Sequence, residues 1–158
     1  MKKSYSFFLT FFIFVFSIPG LAQDENPRHK KFKEMKLNFI LDNLELTPQE
    51  EEHFQCIFNT YEDEYHGKVW TKKRQIKKQV EESFDTIESQ SASKYITKYN
   101  ELEKLGLTIK NERNQKMLNK IRTKEVLNFL WQEQHFDQKM FKRIRDHNME
   151  KEVKKKKE

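Results

Sequence analysis

The chain has one cysteine, three glycines and three prolines in 158 residues. A single thiol, Cys56, excludes an internal disulfide. It reads as a small apolar residue on a buried helix face; the other reading is an intermolecular disulfide or a redox-sensing thiol, which an oxidising compartment permits. Gly67 and Gly106 are the only glycines after residue 22, too few for a phosphate-cradling or shaped catalytic loop. G-x-S-x-G and H-E-x-x-H are absent, and the many Asp and Glu residues are interleaved with lysines as on solvated helix faces, so an enzyme is not expected. No window alternates with period two, and no proline follows Pro48. These absences point to an all-α protein.

Metal chemistry has little to work with. Of His29, His53, His66, His135 and His147, none has a second His or Cys four residues away. His53 and Cys56, three apart, make the best local pair, but two ligands fall short of the three or four that zinc takes. No metal site and no cofactor are expected.

What is present begins with a leader. Lys2 and Lys3 precede an almost unbroken apolar run over residues 7–18, and Pro19-Gly20-Leu21-Ala22 supplies small residues for cleavage after Ala22. This is the layout of a secretory signal peptide, with an apolar core short for a membrane span. The mature protein is expected to be exported and periplasmic, and no Cys beside the cut suggests a lipoprotein. Losing the leader leaves 29 basic against 25 acidic residues, with much of the excess in the tail at Lys151 and Lys154 to Lys157. So mixed a balance does not mark a nucleic-acid binder.

The expected organisation is a signal peptide over 1–22, a mobile arm over 23–29, a helical domain over 30–148 and a basic disordered tail over 149–158. Helix one carries Phe32, Met35, Phe39 and Ile40 and ends near Asn43. At the turn that follows, Thr47 is an N-cap, Pro48 suits the first helical position and Glu50 completes a capping box, while Leu44 and Leu46 flank the corner. Helix two runs from Pro48 to about Glu88 on a stripe of Phe54, Ile57, Phe58, Tyr61, Tyr65, Val69, Ile76 and Val80, with a bend at Gly67. Helix three follows the serines at 89–93 and reaches about Lys120, with Gly106 allowing close helix approach. Thr123 is a candidate N-cap for helix four, which carries Val126, Leu127, Leu130, Trp131, Phe136 and Met140 and ends near His147.

Most of the aromatics should form the core between helices. Helices this long and thin cannot bury all of them, which leaves apolar surface beside basic residues. The stripe thins after Trp70, where Lys72, Lys73, Arg74, Lys77 and Lys78 crowd the helix. Trp70, Lys72, Lys73, Arg74, Ile76 and Lys77 are the candidate surface for holding another protein.

The turn Leu46-Thr47-Pro48-Gln49-Glu50 resembles the LTxxQ family of periplasmic proteins typified by Spy and CpxP. The nearest likeness is to a branch described as sensors of extracytoplasmic-function sigma factor systems. Lys36 to Leu41, the leucine-rich turn Leu44 to Glu50, the aromatic run Phe54 to Tyr65 and the charged helix after it match in order along the mature chain. Two departures stand out: Glu50 replaces Gln, and the second copy of the motif, at residues 121–125, has Arg122 in place of Leu. Both junctions keep Thr in the N-cap role. The resemblance implies an elongated four-helix subunit in an antiparallel homodimer curved into a cradle. It further implies ATP-independent binding of unfolded or partly folded proteins, or alternatively a periplasmic sensor or regulator acting on a membrane-bound signalling protein, with metal responsiveness as a variant of that role.

Overall fold

The computed structural model describes residues 27–155, with side chains to residue 150. The expected signal peptide and the first four residues of the expected arm lie outside this range. Helix α1 spans Pro27–Leu41, α2 Pro48–Tyr65, α3 Thr71–Ser83, α4 Ser89–Leu118 and α5 Thr123–Lys155. A π-helical segment, His66–Trp70, joins α2 to α3, and a 3₁₀ turn, Phe84–Thr86, ends that rod. The protein is all-α.

Several boundaries differ from the sequence reading for local reasons. Residues 27–29 are helical, not part of an arm: Pro27 opens α1 at a position where its missing N–H costs nothing. The rod begun at Pro48 stays helical to Ser83, and the bend expected at Gly67 appears as a wide turn. There the Thr71 N–H reaches back to the His66 carbonyl, which also accepts from the Thr71 hydroxyl at 2.9 Å. The residues 149–150 and the backbone to Lys155 continue α5 where a disordered tail was expected. No Gly or Pro interrupts residues 123–155, Lys and Glu are good helix formers, and the closing lysines suit the negative end of the helix dipole.

The Thr parallel between the two junctions does not hold. The Thr47 carbonyl accepts from the Glu51 N–H, which makes Thr47 the N-cap of α2. At the second junction it is the Arg122 carbonyl that accepts from Val126, which puts Thr123 inside the first turn of α5.

Ion pairs and turns order the helices as a short up-down-up-down bundle. α1 lies antiparallel to α2 through Lys33–Asp63 and Lys36–Glu62, and antiparallel to α5 through Lys36–Glu133 and Asn43–Asn128. α4 returns against α2 and α3 through Arg113–Glu62 and Lys73–Glu103. The core at the turn end gathers Ile40, Phe54, Phe58, Met117, Ile121, Val126 and Phe129. Phe129 meets Phe54 and Phe58 edge-on, with centroids 5.2 and 6.4 Å away. A second cluster of Tyr61, Val69, Leu102 and Ile109 lies farther along α2 and α4. Gly106 sits beside it, where a Cβ would come within 3.0 Å of Tyr65 Cε2, so glycine there is what allows the close approach.

Cys56 is exposed, contrary to the expected burial. It lies two residues from Phe54 and from Phe58, both buried, and a two-residue step carries a side chain about 200° around the helix, to the opposite face.

Candidate functional site

The motif turn is held by residues from the other end of the bundle. Within the turn, the Glu50 N–H donates to Thr47 Oγ1 at 3.3 Å, and the Thr47 N–H donates to Glu50 Oε2 at 2.9 Å, a complete capping box. Leu44 and Leu46 pack on the first core cluster. The Glu50 carboxylate then accepts from Arg122 three ways: its backbone N–H at 2.9 Å, Nε at 2.9 Å and Nη2 at 3.0 Å. Arg122 also donates to the Glu45 carbonyl, the Glu45 N–H donates to Glu125 Oε2 at 3.0 Å, and Asn128 donates to the Asn43 carbonyl at 2.8 Å. The Arg122 side chain, helped by the Thr47 and Arg122 N–H groups, pulls the Glu50 pKa down to about 2. The two departures from the family motif are thus each other's partners: acid at Glu50, base at Arg122.

A second constellation, not foreseen from sequence, lies at the middle of the bundle. Each of four helices contributes one charged side chain: Lys36 from α1, Glu62 from α2, Arg113 from α4 and Glu133 from α5. Lys36 Nζ donates to Glu62 Oε1 at 2.8 Å and to Glu133 Oε1 at 2.7 Å. Arg113 grips Glu133 with both terminal nitrogens at 2.8 Å, a bidentate pair, and lies 3.6 Å from Glu62. Arg113 is only 2% exposed and its guanidinium rests on the Phe129 ring at 4.6 Å. Burial alone would lower the Lys36 pKa, but Glu133 and Glu62 outweigh it and the pKa is raised. Burial would likewise raise that of Glu133, but Arg113 and Lys36 hold it down at about 2.

Two cations meet two anions, and among the described residues no buried side-chain nitrogen or oxygen is left without a partner. The knot therefore presents no open position for a substrate; its chemistry is registration of four helices. A signal for it existed. Lys36 falls four residues before Ile40, Glu62 four after Phe58, Arg113 four after Ile109, and Glu133 four after Phe129, all on apolar faces.

The candidate client-binding residues do not form one surface. Lys73 turns inward, pairs with Glu103 at 2.5 Å and lies over the Tyr99 ring at 4.9 Å. Its effect is to hold the Glu103 pKa below the ordinary carboxylate value. Ile76 is half-buried against the second core cluster. Trp70, Arg74 and Lys77 share one exposed face, with the Arg74 guanidinium 5.5 Å from the Trp70 ring centre, while Lys72 points elsewhere. Lys77 and Lys78 approach Glu81 and Glu82 at 3.6 and 3.7 Å, which softens the local positive charge.

The largest uncharged surface lies on α5 instead. Between Lys124 and Lys142 its outward face presents Leu127, Leu130, Trp131, Gln134, Gln138 and Phe141, with Leu127 68%, Trp131 62% and Phe141 73% exposed. In a chain that is 35% charged, such a face is distinctive. Among the described residues, no group of three or more His, Cys, Asp or Glu side chains is arranged to hold a metal ion, and no helix is long and apolar enough to cross a membrane.

Comparison with known proteins returned no match to a family model, a curated protein or a solved structure.

Proposed function

We propose that this is an exported helical protein of the periplasm that holds unfolded or partly folded proteins without ATP and without catalysis. The observation that carries the reading is the exposed Trp70–Arg74–Lys77 face, aromatic and basic together, on a rod whose base is registered by buried ion pairs. Apolar contact would supply affinity and the cations would steer encounter, so salt would weaken binding. The likeness of the Leu46 to Glu50 turn to the LTxxQ family supports the same role. The uncharged face of α5 suits a second copy of the chain, giving a homodimer with two client-binding arms.

A second reading, a regulator that docks on one membrane-bound signalling protein, is favoured by that same α5 face, whose long uncharged stripe suits a fixed helical partner. An aggregation assay separates the two. The mature chain, residues 23–158, is mixed with a chemically unfolded client, with no ATP, at low and high salt. Suppression at near-stoichiometric ratio, weakened by salt and by Arg74→Glu with Lys77→Glu at an unchanged urea midpoint, supports client holding. No suppression at several-fold excess sinks it and favours the regulator.

A further inference from the structure

The mechanism proposed above makes no use of the junction between the start of α1 and the π segment. There, His29 and His66 stack face to face, with ring centroids 3.5 Å apart and planes 13° from parallel. The column continues into Trp70, whose ring lies 4.9 Å from His66 at 20°, and then to the Arg74 guanidinium. His29 Nε2 lies 3.2 Å from Asp63 Oδ1. Two imidazoles from positions 37 residues apart are thus brought together where the helix widens into a π turn, a geometry that recurs at functional sites.

We propose that the His29–His66 stack is a latch, released by acid, that fastens the first two turns of α1 to the rod formed by α2, the π segment and α3. Neutral imidazoles stack favourably. One added proton is balanced by Asp63. A second places two like charges face to face at stacking distance, where Coulomb repulsion is strongest. The surrounding charges do not relieve it. On α1, Lys33 already holds both oxygens of Asp63, at 2.6 and 2.8 Å, and Arg28 adds another cation. On α2, Glu62 is engaged by Lys36 and Glu64 by Lys68. On the far sides stand Arg74 of α3, over Trp70, and Lys110 of α4, over Tyr65; on α5, Asp137 is half-buried on the Lys36 side.

Release would stop short of Lys36, which the central knot retains, so the opening is local. It would lift Phe32 from Phe136, now 5.4 Å away and almost wholly covered, and so bare apolar surface on α5. Histidine is the side chain whose charge changes between neutral and mildly acidic pH, which sets the range of the device. The inference does not depend on what the protein binds.

The test uses the mature chain with Trp131→Phe, which leaves Trp70 as the only indole. Amide exchange, corrected for intrinsic rate, and Trp70 emission are followed from about pH 7.5 to about pH 5.5. Exchange over residues 28–33 should accelerate at least about fivefold while residues 54–62 stay protected, and Trp70 emission should change over the same range. His29→Phe keeps a flat ring without a titrating charge and should hold the latch closed at both pH values; His135→Gln should leave the response intact. Equal exchange at the two pH values, or a pH response that survives in His29→Phe, overturns the proposal.

Discussion

The bundle body and the arm made by α3 with the first half of α4 are built from similar residues yet held by different forces. The body buries Phe54, Phe58, Phe129, Ile40 and Met117 completely or nearly so and closes its middle with four buried charges. No residue of α3 is buried, and Phe84 at its end is 70% exposed. Arm contacts are local pairs such as Lys77–Glu81, plus the crossing of Lys73 to Glu103 and Tyr99. Helix propensity and i,i+4 pairs keep both regions helical, but only the body gains from removing apolar area from water. The arm is therefore the part free to present a surface, and the body the part that cannot lose a charge.

Mutation should separate the two regions sharply. Arg113→Ala leaves two buried carboxylates facing Lys36 alone and should destabilise by about 3–5 kcal/mol in urea unfolding. A loss below ~1 kcal/mol would mean that the knot contributes no more than a surface pair. Acid should sharpen the contrast next. The Glu133 pKa, about 2 folded against 4.5 unperturbed, is depressed. Its contribution is therefore full above pH ~4.5 and lost as pH falls toward 2, on the order of 3 kcal/mol. The raised Lys36 pKa works in the opposite sense: its contribution is full below 10.5 and lost at higher pH. Stability measured against pH should be flat between those limits, and Glu133→Gln should flatten the acid limb; an acid slope unchanged in that variant would assign it elsewhere. The smallest effect belongs to the arm. Glu103 is 55% exposed, so Lys73→Ala should cost at most ~1 kcal/mol globally while loosening amide protection in α3. A global loss matching that of Arg113→Ala would erase the distinction between arm and body.

Much of this was legible in the chain. The stripes of α2, α4 and α5 followed from period, the start of α2 from Thr47, Pro48 and Glu50, and the wide turn and close contact from Gly67 and Gly106. Cys56 was misjudged although its position opposite Phe54 and Phe58 could be read from spacing. The candidate surface was half legible: Trp70, Arg74 and Lys77 do face out, but Lys73 and Ile76 turn toward α4, which the helix pattern alone could not say. Arg122 was noticed as a departure from a motif, without its partner.

By itself, the amino-acid sequence determined the helices, their caps and their apolar faces, because each depends on residues within one or two turns of one another. Which charges meet was decided only by the tertiary structure. Lys36 and Glu133 are 97 positions apart, and Glu50 and Arg122 are 72 apart. A lysine on an apolar face reads as a flaw in a stripe until three other helices bring two carboxylates and a guanidinium to it. Pairing across helices depends on register and packing, and those exist only once the bundle has closed.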